Sequence, residues 1–175
     1  MTIPKGLPLA YSYLDSPVGR LLLAGDAESL HFLSFPDGHK AFGPQPDWHR
    51  SDRPFDRAKN QLRAYFAGAL KVFDLPLTLH GTAFQKRVWH RLKTIPFGET
   101  RSYGELARAL EAPKASRAVG AANGANPIPI ILPCHRVVGS TGALTGFGGG
   151  IGTKRFLLDF EASQGAPGER QLSMI

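Results

Sequence analysis

The only cysteine of the chain lies in the run Leu132-Pro133-Cys134-His135-Arg136-Val137, with a histidine directly after it. A thiol attacks only as the thiolate, and a free cysteine has a pKa of about 8.5. Apolar neighbours such as Ile131 and Leu132 would raise that value, so a nucleophilic Cys134 needs a group to take its proton. His135 is adjacent, but side chains of neighbouring residues often point apart, so contact would run through a water. A carboxylate that orients the imidazole would complete the relay. The acidic residues after Cys134 are Asp159, Glu161 and Glu169, and Glu161, on the last expected helix, is the candidate. Taken residue by residue, the same run also fits a small core cysteine, a hydrogen-bonded loop histidine and a solvated helix glutamate.

The rest of the chain restricts the choice. It has 175 residues, 42% of them hydrophobic, which is ample for a packed core. The formal net charge is +7, with twelve Lys/Arg against six Asp/Glu in residues 82–175 but nine against eight in residues 1–81. A basic balance of this kind favours polyanions, and it places any nucleic-acid surface in the second half. One cysteine excludes an intramolecular disulfide and a multi-cysteine zinc site. The N-terminus lacks the apolar core of a signal peptide, and no stretch is apolar and long enough to span a bilayer. The expected protein is soluble and cytoplasmic, in a reducing compartment, with no membrane association.

The elements that must position Cys134 follow from periodicity. Ala10–Asp15 and Val18–Gly25 read as strands around a Ser16-Pro17 turn, and Ser29–Phe35 as a third. Residues 36–54 carry four prolines and two glycines and read as a surface loop. Phe55, Ala58, Leu62, Tyr65, Phe66 and Ala69 have helical spacing, stopped near Gly68; Val72–Leu79 suits a strand or an extended linker. From Thr82 the texture is helical. Thr82–Gln85 and Ser102–Glu105 resemble capping boxes. The first opens a helix with Phe84, Val88, Trp89, Leu92 and Ile95 on one stripe, and the second a helix with Leu106, Ala109 and Leu110 inward. A third helix over Ala115–Gly124 completes the outline of a helix-turn-helix. The proline-punctuated run 127–133 is expected to be buried and not helical. Five glycines within residues 146–152 allow unusual backbone angles, Lys154–Glu161 reads as a final helix, and residues 163–175 as a flexible tail.

The run through Val138 resembles the active-site signature of the O6-alkylguanine-DNA alkyltransferases, also called methylated-DNA–protein-cysteine methyltransferases. The similarity extends from Thr82 to Glu161 through Phe84-Gln85, Val88-Trp89, Ile95-Pro96, Gly98, Ser102-Tyr103, Arg117–Gly120 and Asn126-Pro127. In the first third it is limited to the layout and the stretch around Leu62–Gly68. The resemblance implies an N-terminal α/β, ribonuclease-H-like domain with a small antiparallel sheet (1–80). It also implies a mainly α, helix-turn-helix (winged-helix-like) domain (82–162) that carries the active site. It implies direct-reversal repair: Cys134 takes the alkyl group from O6-alkylguanine, and from O4-alkylthymine, in double-stranded DNA. Each molecule would act once, as a monomer, with no cofactor and no metal.

The resemblance also assigns roles. His135 and Glu161, with a water, would activate Cys134, and Asn126 would steady the active-site turn. Tyr103 would donate to the flipped base and help protonate the departing guanine. The carbonyls of Cys134 and Val137 would accept from the guanine amino group, and the amide of Gly148 would face its oxygen. Phe147 stands where many members have tyrosine and Gly148 where some have serine, which bears on substrate breadth. The alkyl group is hidden in the stacked duplex, so the nucleotide must be extruded. The third helix, with little side chain on much of its surface, would lie in the minor groove through Lys114, Ser116, Arg117, Ala118, Gly120 and Ala121. Arg117 would fill the space of the flipped base and Lys114 would reach phosphate. Two other classes compete: a non-catalytic lesion-binding relative, which would lack the reactive cysteine, and a thiol hydrolase using Cys134 and His135, which would turn over.

Overall fold

The computed structural model describes residues 2–165. The fold starts with a hairpin, β1 (Ala10–Ser16) and β2 (Gly19–Gly25), paired antiparallel from Ala10↔Gly25 to Ser16↔Gly19. Gly19 closes the turn at φ +99°, a value that side chains with a Cβ rarely adopt. β3 (Leu30–Ser34) adds antiparallel to β2. The loop expected over residues 36–54 contains a strand after all: β4 (His49–Arg50) pairs parallel to β1, giving the order β3-β2-β1-β4. Two exposed residues leave no periodic signal, and the buried Trp48 before them is what seats the segment. A 3-10 turn at Arg53–Phe55 leads into α1 (Asp56–Phe66). Residues 72–79 are extended and touch the sheet through a single parallel bridge, Leu30↔Leu77.

The second half is helical. α2 (Ala83–Leu92) starts at a complete capping box: the Thr82 hydroxyl accepts from the Gln85 amide, and the Gln85 side chain accepts from the Thr82 amide. A two-residue strand β5 (Arg101–Ser102) precedes α3 (Tyr103–Ala109), whose capping box is Ser102 with Glu105. α3 buries Leu106, Ala107 and Leu110; Ala109, expected inward, is exposed. The turn through Pro113 leads to α4 (Ser116–Gly124), packed against both α2 and α3. After a 3-10 turn at Cys134–Arg136, β6 (Val137–Val138) pairs parallel with β5. The last helix, α5 (Ile151–Ser163), is longer at both ends than its expected 154–161. Of the expected tail, Ser163 is helical, and residues 166–175 lie outside the described residues. No helix among the described residues is long and apolar enough to cross a membrane.

One apolar cluster runs through both halves. It joins Leu14, Leu21, Leu23, Leu33, Leu62 and Tyr65 to Val88, Trp89, Leu106, Val119, Leu132 and Leu157. The other face of the sheet has a smaller cluster of Leu9, Leu22, Ala24, Phe32 and Trp48. β3 also meets the proline run directly, since the Leu33 amide donates to the Pro127 carbonyl at 2.9 Å. Thus the chain before Cys134 is held against the sheet as well as against the helices. Thr82→Ala removes the α2 cap and is expected to cost about 1 kcal/mol. A lowered urea midpoint with an unchanged slope is the check.

Candidate active site

The peptide from Pro127 to Pro133 cannot continue α4, because its prolines lack amide donors. Its backbone is held by side chains instead. Asn126 Nδ2 donates to the Leu132 carbonyl at 2.7 Å, and Asn126 Oδ1 accepts from the Ile128 amide at 2.9 Å. Within this run Ile130 has φ +73°, an outlying conformation for a β-branched residue, imposed by the surrounding packing. The run delivers Cys134 to the 3-10 turn, where it is 4% exposed.

Cys134 lines a cavity that opens to solvent. Asn123, Gly124 and Asn126 form one wall, at the C-terminal end of α4; Phe147, Gly148 and Gly149 form another. The third comes from the N-terminal half: Leu33, Phe35, Lys40 and Phe42. Phe35 packs on Phe147 with ring centroids 5.5 Å apart, and a Cβ at Gly149 would collide with the Phe35 ring. Lys40 spans the opening. Its Nζ donates to the Gly124 carbonyl, where the α4 dipole favours a cation, and its amide approaches the Gly148 carbonyl at 3.4 Å.

Burial pushes the Cys134 thiol up to about 11, against the opposing pull of the Asn126 amide and the Lys154 and Lys40 cations. A resting thiol is therefore protonated at neutral pH and needs a base. Directly behind it His135 is fully buried, and its Nε2 lies 2.8 Å from Glu161 Oε1. An ionised carboxylate can only accept, so Nε2 carries the proton and Nδ1 the lone pair. Nδ1 is buried with no hydrogen-bond partner among the described residues. Burial holds the imidazole below its ordinary pKa despite the opposing carboxylate, so His135 is neutral and able to accept.

Glu161, on the inner face of α5, is 1% exposed. Burial opposes its charge, but bonds from His135 and Arg136 outweigh that and keep it well below the usual carboxylate range. Arg136 donates through Nε to Oε2 at 2.9 Å and through a terminal nitrogen to Oε1 at 2.8 Å, a bidentate fork. The Gly98 amide donates to Oε2 at 3.1 Å, and the Tyr65 hydroxyl to Oε1 at 2.8 Å. Lys154, also fully buried, donates to the carbonyls of Val137 at 2.6 Å and Thr145 at 3.2 Å, tying α5 to the chain on both sides of the 139–143 turn.

The structure brings Cys134, Asn126, Phe147 and Gly148 to one cavity, with His135 and Glu161 behind the thiol. Tyr103 and Val137 do not line it. Tyr103 begins α3 with its hydroxyl 2.9 Å from Thr145 Oγ1 and its ring beside Gly120, and Val137 is buried. On α4, Arg117, Ala118 and Ala121 are exposed, as is Lys114 before it, while Ser116 and Gly120 are half-buried. Sequence reasoning missed Arg136, Lys154, Tyr65, Asn123 and Lys40. Arg136 had a signal, since an arginine directly after a run expected to be buried, and followed by Val137 and Val138, needs an anion if the chain stays inside. Tyr65 had one too: a tyrosine in an inward stripe needs a partner for its hydroxyl. The other three are joined to the site only by tertiary packing. Among the described residues no group of three or more His, Cys, Asp or Glu side chains is arranged to hold a metal ion.

Known proteins are similar to this chain. Residues 83–163 match the family model described as 6-O-methylguanine DNA methyltransferase, DNA binding domain, and residues 9–79 the model of its ribonuclease-like domain. A methylated-DNA–protein-cysteine methyltransferase of Methanosarcina acetivorans is 52% identical over 87% of this chain and 98% of its own length. One from Mycobacterium tuberculosis is 52% identical over 93% and 97%. The crystal structure of Mycobacterium tuberculosis OGT in complex with DNA superposes with a TM-score of 0.84 at 51% identity, over 90% of this chain and 96% of that one. The O6-methylguanine-DNA methyltransferase of Pyrococcus kodakaraensis gives 0.59 at 25% identity, over 90% and 99%.

Glu161→Gln leaves the Arg136 guanidinium buried without its anion and is expected to cost about 3 kcal/mol at pH 7. Because the folded carboxylate titrates well below its unfolded value of about 4.3, the stability it contributes is full above that value and is lost as pH falls from there through the much lower folded value. The gap between wild type and variant in urea unfolding should therefore hold from pH 7 to about pH 5 and narrow only below about pH 4.

Proposed function

The chain belongs to the 6-O-methylguanine DNA methyltransferase family, and on that premise we propose that it repairs alkylated DNA by direct reversal, moving the alkyl group of an O6-alkylguanine onto the sulfur of Cys134. The observation that carries this reading is a lone thiol lining a cavity open to solvent, backed by a buried imidazole–carboxylate pair.

The thiol proton passes through a water to Nδ1 of His135, while Glu161 holds Nε2–H and supports the imidazolium that forms. The sulfur attacks the alkyl carbon in line; the S–C bond forms and the C–O6 bond breaks. The departing oxygen leaves as guanine, and the Tyr103 hydroxyl, 2.9 Å from Thr145 Oγ1 and outside the cavity lining, turns from that partner to donate to the base as its charge develops. The product is a thioether, a poor leaving group, so each molecule acts once. The lesion is itself the alkyl donor, and the scheme needs no cofactor and no metal. O4-alkylthymine offers the same electrophilic carbon and is the second substrate.

The base is read by backbone groups around the thiol. The Cys134 carbonyl accepts from the Val137 amide and from Asn123 Nδ2, the latter at 3.3 Å. The Asn123 bond is long, so it is the one that a guanine amino group displaces. Val137 retains a lone pair beside its bond from Lys154, and the Gly148 amide faces the base oxygen. Phe147 supplies an apolar wall without a hydroxyl. On DNA, α4 enters the minor groove of the duplex. The near-bare surface of Ala118, Gly120 and Ala121 permits close approach, Ser116 and Lys114 contact the backbone, and Arg117 fills the gap left by the extruded nucleotide. The working form is an intracellular monomer.

Intact-mass measurement after incubation with an oligonucleotide carrying O6-methylguanine should show one added methyl per protein and no further turnover. Unmodified protein beside repaired DNA would indicate a hydrolase, and unmodified protein beside intact lesion a binder. Cys134→Ala should gain no mass yet retain DNA binding. Arg117→Ala should slow repair of duplex DNA by tenfold or more, on the order of a lost base-flipping contact, with little effect on free O6-benzylguanine. Equal losses on both substrates would exclude the finger role.

A further inference from the structure

Glu161 Oε1 accepts three bonds: from His135 Nε2, from Arg136 and from the Tyr65 hydroxyl, each at 2.8 Å. The first two come from the active-site turn. Tyr65 comes from α1, 96 residues away in the chain and in the half of the molecule that holds the sheet. It is fully buried in an aromatic enclosure, with ring centroids of Phe66, Phe73, Phe97 and Phe160 between 5.0 and 5.8 Å from its own. Such an enclosure has one polar exit for the hydroxyl, and it leads to Glu161. Burial and the adjacent carboxylate hold the phenol far above its ordinary pKa, so Tyr65 acts only as a donor.

We propose that Tyr65 is a positioning residue for alkyl transfer: its hydroxyl fixes Glu161 Oε1 against His135 and tempers the carboxylate, keeping His135 a neutral acceptor for the Cys134 proton. This rests on the relay described under the proposed function. A carboxylate with fewer donors stabilises imidazolium more strongly. Without the Tyr65 hydroxyl, Oε1 keeps only Arg136 and His135, and the electrostatic hold on a protonated His135 grows. The other charges facing the ring are the Arg136 guanidinium and the Lys154 ammonium, which oppose imidazolium, and the Cys134 sulfur once ionised. None changes on removing one hydroxyl. The N-terminal half thereby supplies a donor to the chemistry of the C-terminal half, beyond its role as a packing partner.

The test is Tyr65→Phe in the full-length protein, which keeps the ring in its aromatic enclosure. Single-turnover transfer from O6-methylguanine DNA is followed across pH, and the His135 ring is titrated by NMR in both proteins. The expected result is an acid limb of the rate profile raised by about half a pH unit or more, a rate roughly threefold lower on that limb, and a matching rise in the His135 titration. A limb that stays, falls, or fails to emerge above the onset of acid unfolding overturns the proposal, even if the melting temperature drops, since a purely structural hydroxyl changes stability alone. If the wild-type ring titration and rate limb do not coincide, the relay itself is wrong. If they coincide and neither moves in Tyr65→Phe, only the role of Tyr65 is wrong.

Discussion

A buried anion organises this molecule. The Glu161 carboxylate is almost fully removed from water, and an ion in that position is tolerated only where charge and hydrogen bonds replace its hydration. Five donated bonds do so, from the Gly98 amide, the Tyr65 hydroxyl, two nitrogens of Arg136 and the His135 ring. These donors come from α1, from the turn after α2, and from the 3-10 turn that carries the thiol. Their convergence fixes where α5 lies relative to the nucleophile and sets the tautomer of the imidazole. It also keeps the carboxylate from taking the proton for itself, because an anion so well satisfied is a weak base.

The same burial sets the state of the sulfur. An exposed thiolate would react with any electrophile, whereas Cys134 rests protonated, pushed up to about 11, in a cavity closed on three sides. Under the proposed function, reactivity depends on a base held in a fixed tautomer and on an electrophile brought in line. Displacement at an alkyl carbon suits such a site. It proceeds without a tetrahedral oxyanion, so no donor pair aimed at one is needed, and the wall that Phe35 and Phe147 give the cavity is apolar. Protection of a nucleophile that works once and its activation by a bound lesion follow from one arrangement.

What could be read from the sequence divides along physical lines. Signals carried by local spacing were legible: the hairpin around Ser16-Pro17, the two capping boxes, the Val88-Trp89-Leu92 stripe, and the proline run that must be buried but cannot be helical. Glu161 could be picked out because few acidic residues follow Cys134. β4 was not legible, because two exposed residues have no period and their pairing with β1 depends on where Trp48 is buried. The inward face of α3 differs from expectation at the alanines, with Ala107 buried in place of Ala109, two positions along, since alanines carry too little side chain to mark a face. Arg136 sat in plain view within the Cys134 motif, but its anion, Glu161, lies 25 residues on in the chain. Lys40 and Tyr65 reach the site only through contacts made by the folded chain across many residues.

Those two residues bear on how the halves of the molecule should be regarded. The thiol, the imidazole, the carboxylate and α4 all lie after residue 82, which invites a division of labour with a scaffold in front and an active site behind. The contacts argue otherwise. β3 bonds to the proline run through Leu33 and Pro127, Phe35 packs on Phe147, Lys40 spans the opening to Gly124, and Tyr65 bonds the carboxylate. The apolar core is continuous across both halves, so no cleavage plane separates them. A change in how the sheet seats on the helices would therefore be felt at the cavity mouth through Lys40 and at the base of the relay through Tyr65.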